Sequence, residues 1–288
     1  MPDVGTNKTV EDVDADRRTF MKATLTAGFA AAVLPVTADN MISTSTQGLT
    51  AGTVTVQMNG RTVPAYVAKP SDKQDLPVIL VISEIFGVHE HIADVARRFA
   101  RLGYLAIAPE LFIRQGDVKQ ISDISTLMST VISKVPDQQV FDDLDACVAW
   151  AGENGGNLDK LGITGFCWGG RITWLYSAYN PKIKAGVAWY GRLVGQSTEL
   201  TPKHPVDIAP TLTTPVLGLY GGKDTGISLD TVEQMKAALA KGHSQSQFVI
   251  YPDAGHAFHA DYRPSYVESA AKDGWSRCLV WFKANGVA

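Results

Sequence analysis

Hydrophobic and polar positions along the chain alternate between two periods. Residues 77–82 form an unbroken apolar run, the pattern of a central strand buried on both faces. Residues 90–102 place Ile92, Val95, Ala96 and Phe99 at helical spacing, and Gly103 closes that segment. The pattern then predicts a strand over 104–108, a helix over 137–150, a strand over 161–166 and a helix over 171–179. Strands follow at 184–190 and 216–220, a helix at 229–241, a strand at 248–251 and a closing helix at 266–285. Upstream, residues 53–58 and 61–68 flank Asn59-Gly60, a two-residue turn signal that predicts an N-terminal β-hairpin. Strands alternating with helices argue for the α/β class, with a mostly parallel central sheet covered by helices on both faces.

Composition adds bounds to this picture. The chain has 288 residues, 45% of them hydrophobic and 19% charged, which suits one domain with a large core. A net charge of −3 and the lack of a long basic stripe argue against a nucleic-acid partner. The N-terminus reads as an export signal. Asp16-Arg17-Arg18-Thr19-Phe20-Met21-Lys22 resembles the twin-arginine motif, an apolar stretch runs from Ala23 to Leu34, and Val36-Thr37-Ala38 offers small residues for cleavage. The stretch is too short, and too rich in Ala, Thr and Gly, for a stable membrane anchor. The expected organisation is a signal peptide over 1–38, a linker over 39–50 and the folded domain over 51–288. The twin-arginine export machinery would then be a partner, and the mature protein would be periplasmic or secreted.

Three cysteines, in an exported protein, leave at least one free thiol. Cys147 and Cys278 fall on predicted helices and read as buried free thiols, with pairing between them as the alternative. Cys167 stands apart. It is the apex of Gly165-Phe166-Cys167-Trp168-Gly169-Gly170, which follows the apolar run 161–164. A strand, a tight turn between small residues and a helix start make the pattern of a nucleophile elbow, with a thiol where serine is commoner. A helix N-terminus beneath the thiol favours its anion.

A cysteine nucleophile needs a base and a group to orient that base. Two later strands supply them at their carboxyl ends: residues 216–220 run into Gly221-Gly222-Lys223-Asp224, and residues 248–251 run through Pro252 and Asp253 to Gly255-His256. Cys167, Asp224 and His256 therefore share strand-end positions as well as suitable chemistry. Glu84, directly after the first parallel strand and before Ile85-Phe86-Gly87, is placed at the same edge, where it could contact the thiol.

These segments resemble the dienelactone hydrolase family, a branch of the α/β-hydrolases, over residues 53–283. The resemblance is carried by Glu84-Ile85-Phe86-Gly87, Gly103-Tyr104, Ala108-Pro109-Glu110-Leu111, the elbow, Tyr190-Gly191, Gly222-Lys223-Asp224, and Tyr251 with Gly255-His256-Ala257-Phe258. It implies an α/β-hydrolase fold and hydrolysis of a small ester or lactone, without metal or organic cofactor. It implies Cys167 as nucleophile, His256 as general base and acid, Asp224 as its orienting carboxylate, and Glu84 as the carboxylate that helps generate the thiolate. The backbone N–H groups of Trp168 and Ile85 would form the oxyanion hole, Tyr190 would line the pocket, and Arg114 would grip a substrate carboxylate. One departure stands out: the second arginine of dienelactone-cleaving members, four residues after the histidine, is here Ala260. Arg263 and Arg192 are substitutes that do not match by position.

Other readings are weaker. His89 and His91 lie two apart at a helix start and read as cap and solvent-facing groups, not metal ligands. His259 follows the assigned His256. Trp174 and Trp189 read as core, and Asp142, Asp143 and Asp145 as a solvated helix face. The rival functions are a broader carboxylesterase or acyltransferase, and a non-catalytic binding protein on a hydrolase fold. A thiol-redox role is weak because no C-x-x-C occurs.

Overall fold

The computed structural model describes residues 41–288 apart from Asn59. The twin-arginine segment and the cleavage site proposed for it lie outside the described residues. Eight strands form one sheet: β1 (Leu49–Met58), β2 (Arg61–Pro70), β3 (Leu76–Ile82), β4 (Leu105–Pro109), β5 (Gly156–Phe166), β6 (Ile183–Trp189), β7 (Val216–Gly221) and β8 (Gln247–Tyr251), in the order β1-β2-β4-β3-β5-β6-β7-β8. The β1–β2 hairpin is antiparallel, β2 pairs antiparallel with β4, and the strands from β4 to β8 run parallel. The helices are α1 (Glu90–Arg101), α2 (Ile124–Thr130), α3 (Asp137–Glu153), α4 (Trp168–Tyr179), α5 (Pro205–Ile208), α6 (Leu229–Leu239) and α7 (Glu268–Ala284).

The two-residue period of the strands divides the core. On β3, Ile79 and Val81 join the cluster under α1 and α7, with Phe99 and Phe282. Val78, Leu80 and Ile82 point the other way, to Leu144, Cys147 and Tyr176 on α3 and α4. Both faces of the central strands are therefore dry, which explains their continuous apolar runs. Trp174 and Trp189 are fully buried, as the sequence suggests.

Three differences from the sequence reading have physical causes. Strand β1 begins at Leu49, inside the segment read as linker, because its backbone pairs with β2 as far as Leu49↔Pro70. Helix α2 had no apolar period to announce it, and its start is set by Asp123, whose carboxylate accepts the Thr126 N–H at 2.7 Å. Helix α3 does not present a solvated row of aspartates: Asp143 is buried, and the half-buried Asp145 accepts from Tyr176 Oη at 2.6 Å and Asn180 Nδ2 at 2.9 Å. Cys147 and Cys278 are buried free thiols.

Candidate active site

Glycines at the end of β5 and the start of α4 set the geometry of the elbow. A Cβ on Gly165 would lie 2.2 Å from the Gly169 carbonyl oxygen, and one on Gly169 would lie 2.4 Å from the Ile82 carbonyl oxygen. Without side chains, α4 can sit directly on the ends of β3 and β5. Between these glycines Cys167 is held at φ 55°, in the left-handed region that a β-carbon disfavours. Its N–H donates to the Trp189 carbonyl at 2.9 Å, and its own carbonyl accepts from Gly170 N at 3.0 Å. The thiol thus sits at the N-terminus of α4, 8% exposed. Trp168 is the first residue of α4, so its N–H belongs to the free amides at that end. Ile85 is buried in the β3–α1 loop.

His256 and Asp224 are brought together by two adjacent loops. Gly222 N–H donates to the Tyr251 carbonyl at 2.8 Å and Lys223 N–H to the Ala254 carbonyl at 2.9 Å, so the chain ends of β7 and β8 are laced side by side. Asp224 Oδ2 then meets His256 Nδ1 at 2.7 Å, while Oδ1 accepts the N–H groups of Gly226 at 2.8 Å and Ile227 at 3.0 Å. The other side of the imidazole faces Cys167. Burial works against a charged ring here. The Cys167 sulfur, within hydrogen-bonding reach, and the Asp224 carboxylate outweigh it and hold the His256 pKa well above the usual imidazole value.

Tyr190 closes one side. It is fully buried at φ 38°, its ring stands edge-on to His256 at 5.2 Å, and its hydroxyl finds no hydrogen-bond partner among the described residues. Burial, with Glu84, Tyr262 and Cys167 nearby, keeps that hydroxyl protonated.

Glu84 is buried at the same edge, but its hydrogen-bonding partners are not the thiol. Tyr262 Oη donates to Glu84 Oε2 at 2.8 Å, and Arg263 Nη2 lies 3.5 Å from the same oxygen. Burial alone would raise the Glu84 pKa. The Arg263 guanidinium, then His89 and the Tyr262 hydrogen bond, overcome this and hold it below the ordinary carboxylate range. Arg263 also lies over the rings of Phe86 at 4.7 Å and Tyr262 at 4.8 Å. A cation does reach the site, therefore, from seven residues beyond His256, whereas Ala260 is sealed in the core and Arg192 is exposed.

Arg114 has a structural partner, and one expectation is corrected. Arg114 is ion-paired with Asp143 of α3, whose side chain is 1% exposed. A carboxylate so withdrawn from water needs a cation beside it, and Arg114 supplies it through Nη2, while its Nε and Nη1 have no hydrogen-bond partner among the described residues. The histidines after Glu84 are not solvent-facing caps. His89 does stand at the N-cap of α1, but its Nε2 meets Tyr262 Oη at 3.2 Å; burial, despite Glu84 nearby, pushes its pKa down to about 4. His91 is buried, with Nδ1 3.0 Å from Asp261 Oδ1, and Arg98 Nη2 holds Asp261 Oδ2 at 2.7 Å. These bonds pin the stretch that carries Tyr262 and Arg263 to α1. The sequence offered little warning of this, beyond the clustering of Asp261, Tyr262 and Arg263 soon after His256. No group of side chains suited to a metal ion occurs among the described residues, and no helix among them is long and apolar enough to cross a membrane.

Comparison with known proteins shows the family of this chain. A protein of Methylorubrum extorquens, provisionally named a carboxymethylenebutenolidase, is 57% identical over 94% of this chain and 94% of its own length. An Escherichia coli protein of the same provisional name is 52% identical over 92% of this chain and 98% of its own. A crystal structure from Klebsiella pneumoniae subsp. pneumoniae, provisionally called a dienelactone hydrolase, superposes with a TM-score of 0.80 at 56% identity, covering 82% of this chain and 98% of that one. The family model for dienelactone hydrolases matches residues 63–286. On this match, and on an eight-stranded α/β-hydrolase sheet that carries a cysteine elbow, the chain belongs to the dienelactone hydrolase family.

Proposed function

We propose that this protein hydrolyses small esters or lactones through Cys167, His256 and Asp224, with a thioester intermediate. The observation that carries the reading is the single constellation at the sheet edge: a strained cysteine on a helix N-terminus, facing a histidine whose far nitrogen is held by a buried aspartate. The Cys167 thiolate attacks the carbonyl carbon, and the oxyanion is held by the N–H groups of Trp168 and Ile85, an interaction of about 2.7–4 kcal/mol per donor in such sites. The His256 imidazolium gives its proton to the leaving oxygen, and the acyl group stays on sulfur. His256 then takes a proton from water, the resulting hydroxide attacks the thioester, and the acid departs as the thiolate re-forms.

Glu84, whose Oε2 is held by Tyr262 and Arg263, would help to make the thiolate when substrate binds. The Tyr190 hydroxyl is a free donor for the substrate. A thiol nucleophile favours activated esters and enol lactones over peptides. The names borne by the relatives are consistent with a lactone substrate. Export by the twin-arginine route, resting on residues 16–38, completes the proposal, and fractionation of cells expressing the full chain checks it.

Cys167→Ala should abolish hydrolysis of an activated aryl ester, and acid-quenched wild-type enzyme should carry an acyl mass on the Cys167 peptide. Near-native turnover by the alanine variant would remove the mechanism.

A further inference from the structure

The β3–α1 loop carries both Glu84 and the Ile85 N–H, so its shape matters to any chemistry at Cys167. Between Ser83 and His89, two main-chain N–H groups donate hydrogen bonds among the described residues. His89 N–H reaches the Gly87 carbonyl at 3.1 Å, and Val88 N–H reaches Glu110 Oε2 at 3.1 Å. The first is internal to the loop, whereas the second fastens it to the end of β4. Glu110 is itself fixed at three points. Its N–H donates to the Pro64 carbonyl at 2.8 Å, Lys119 Nζ meets its Oε1 at 2.8 Å, and its carboxylate lies against Gly87. Gly87 has φ +70°, and a Cβ there would fall 2.6 Å from Glu110 Oε2. The glycine therefore both allows the turn and leaves room for the carboxylate beneath it. The Glu110 side chain is 18% exposed, so its bond to Val88 is largely shielded from water and charge-assisted.

We propose that Glu110 is a positioning residue for the oxyanion site: through Val88 N–H and the Gly87 turn it fixes where the Ile85 N–H stands relative to Cys167. The kinetic part rests on the ester-hydrolase reading above, whereas the clamp itself does not. A donor displaced by about 1 Å loses much of its value to a developing oxyanion, and effects of roughly 10- to 100-fold follow from such shifts.

The experiment compares wild type, Glu110→Gln, Glu110→Ala and Gly87→Ala in three measurements on the full chain. The first is hydrolysis of an activated aryl ester. The second is the rate and pH profile of Cys167 alkylation by iodoacetamide. The third is amide hydrogen exchange over residues 84–88. Glu110→Ala and Gly87→Ala should lower kcat about 10- to 100-fold with KM changed less than about threefold, while Glu110→Gln, which keeps an acceptor, retains most of the activity. Alkylation of Cys167 should be unchanged, because His256 and Asp224 are untouched, and exchange at Ile85 and Val88 should quicken about tenfold or more in Glu110→Ala. Two results would overturn the proposal: kcat within twofold of wild type in Glu110→Ala, or a loss of alkylation in parallel with kcat. If wild type itself turns over no ester, the functional reading fails separately. Exchange over 84–88 then decides the clamp, and an unchanged rate in Glu110→Ala refutes it.

Discussion

Tyr190→Phe should make this protein more stable and less active at once. The hydroxyl is fully buried and has no hydrogen-bond partner among the described residues, so the folded state bears its desolvation without compensation. An unsatisfied buried polar group costs about 1–3 kcal/mol, and the unfolded chain, which hydrates the same hydroxyl, bears none of this. Phenylalanine keeps the ring that packs on His256 and Phe258, and the positive φ at this position burdens both residues alike. Each kcal/mol recovered should raise Tm by about 2–4 °C in a domain of this size. If the same hydroxyl donates to substrate, its loss removes one neutral hydrogen bond of about 0.5–1.5 kcal/mol, or roughly two- to twelvefold in kcat/KM. Thermal unfolding and steady-state hydrolysis of an activated ester, run on one preparation, measure both effects. A lower Tm in the variant would mean that the hydroxyl has a partner in the folded protein. An unchanged kcat/KM would mean that it does not touch the substrate. Either result refutes the corresponding half of the reasoning.

The remaining predictions concern the groups around it. Asp224→Asn keeps the shape but can turn an amide N–H toward His256 Nδ1 and favour the wrong tautomer; kcat should fall about 10²- to 10⁴-fold with little change in Tm, as steady-state kinetics and a melting curve will show. Asp143→Ala strips Arg114 of its buried carboxylate and should cost about 3–5 kcal/mol in urea unfolding, with KM for ester unchanged; a change in KM without loss of stability would restore Arg114 as a substrate contact. His89 has its folded pKa pushed down to about 4, while the unfolded chain takes up a proton near the ordinary value of 6.5. Its contribution to stability is therefore complete above about pH 6.5 and is lost as the pH falls from there to about 4. His89→Gln should lose less stability than wild type between pH 7 and 4.5, and identical pH dependence in the two proteins would contradict that assignment.

Much of this molecule is legible in the sequence because the relevant patterns are local. Burial of β3 on both faces requires the apolar run at 77–82, and the contact of α4 with the ends of β3 and β5 requires the glycines around Cys167. Strand ends place Asp224 and His256 at one edge, so their order along the chain already implies their meeting. The surroundings of Glu84 were not legible in this way. Tyr262 and Glu84 are 178 positions apart, and His91 and Asp261 are 170 apart. The family spacing puts its second arginine at residue 260, here alanine; of the two substitutes the sequence offered, Arg263 and not Arg192 brings a guanidinium to Glu84, and Arg114, read as a substrate anchor, pairs with Asp143. An aspartate on a helix and an arginine in a loop carry no mark of which charge they will meet. That is decided by which polar groups remain without water once the helices have closed on the sheet, and burial of this kind exists only in the folded chain.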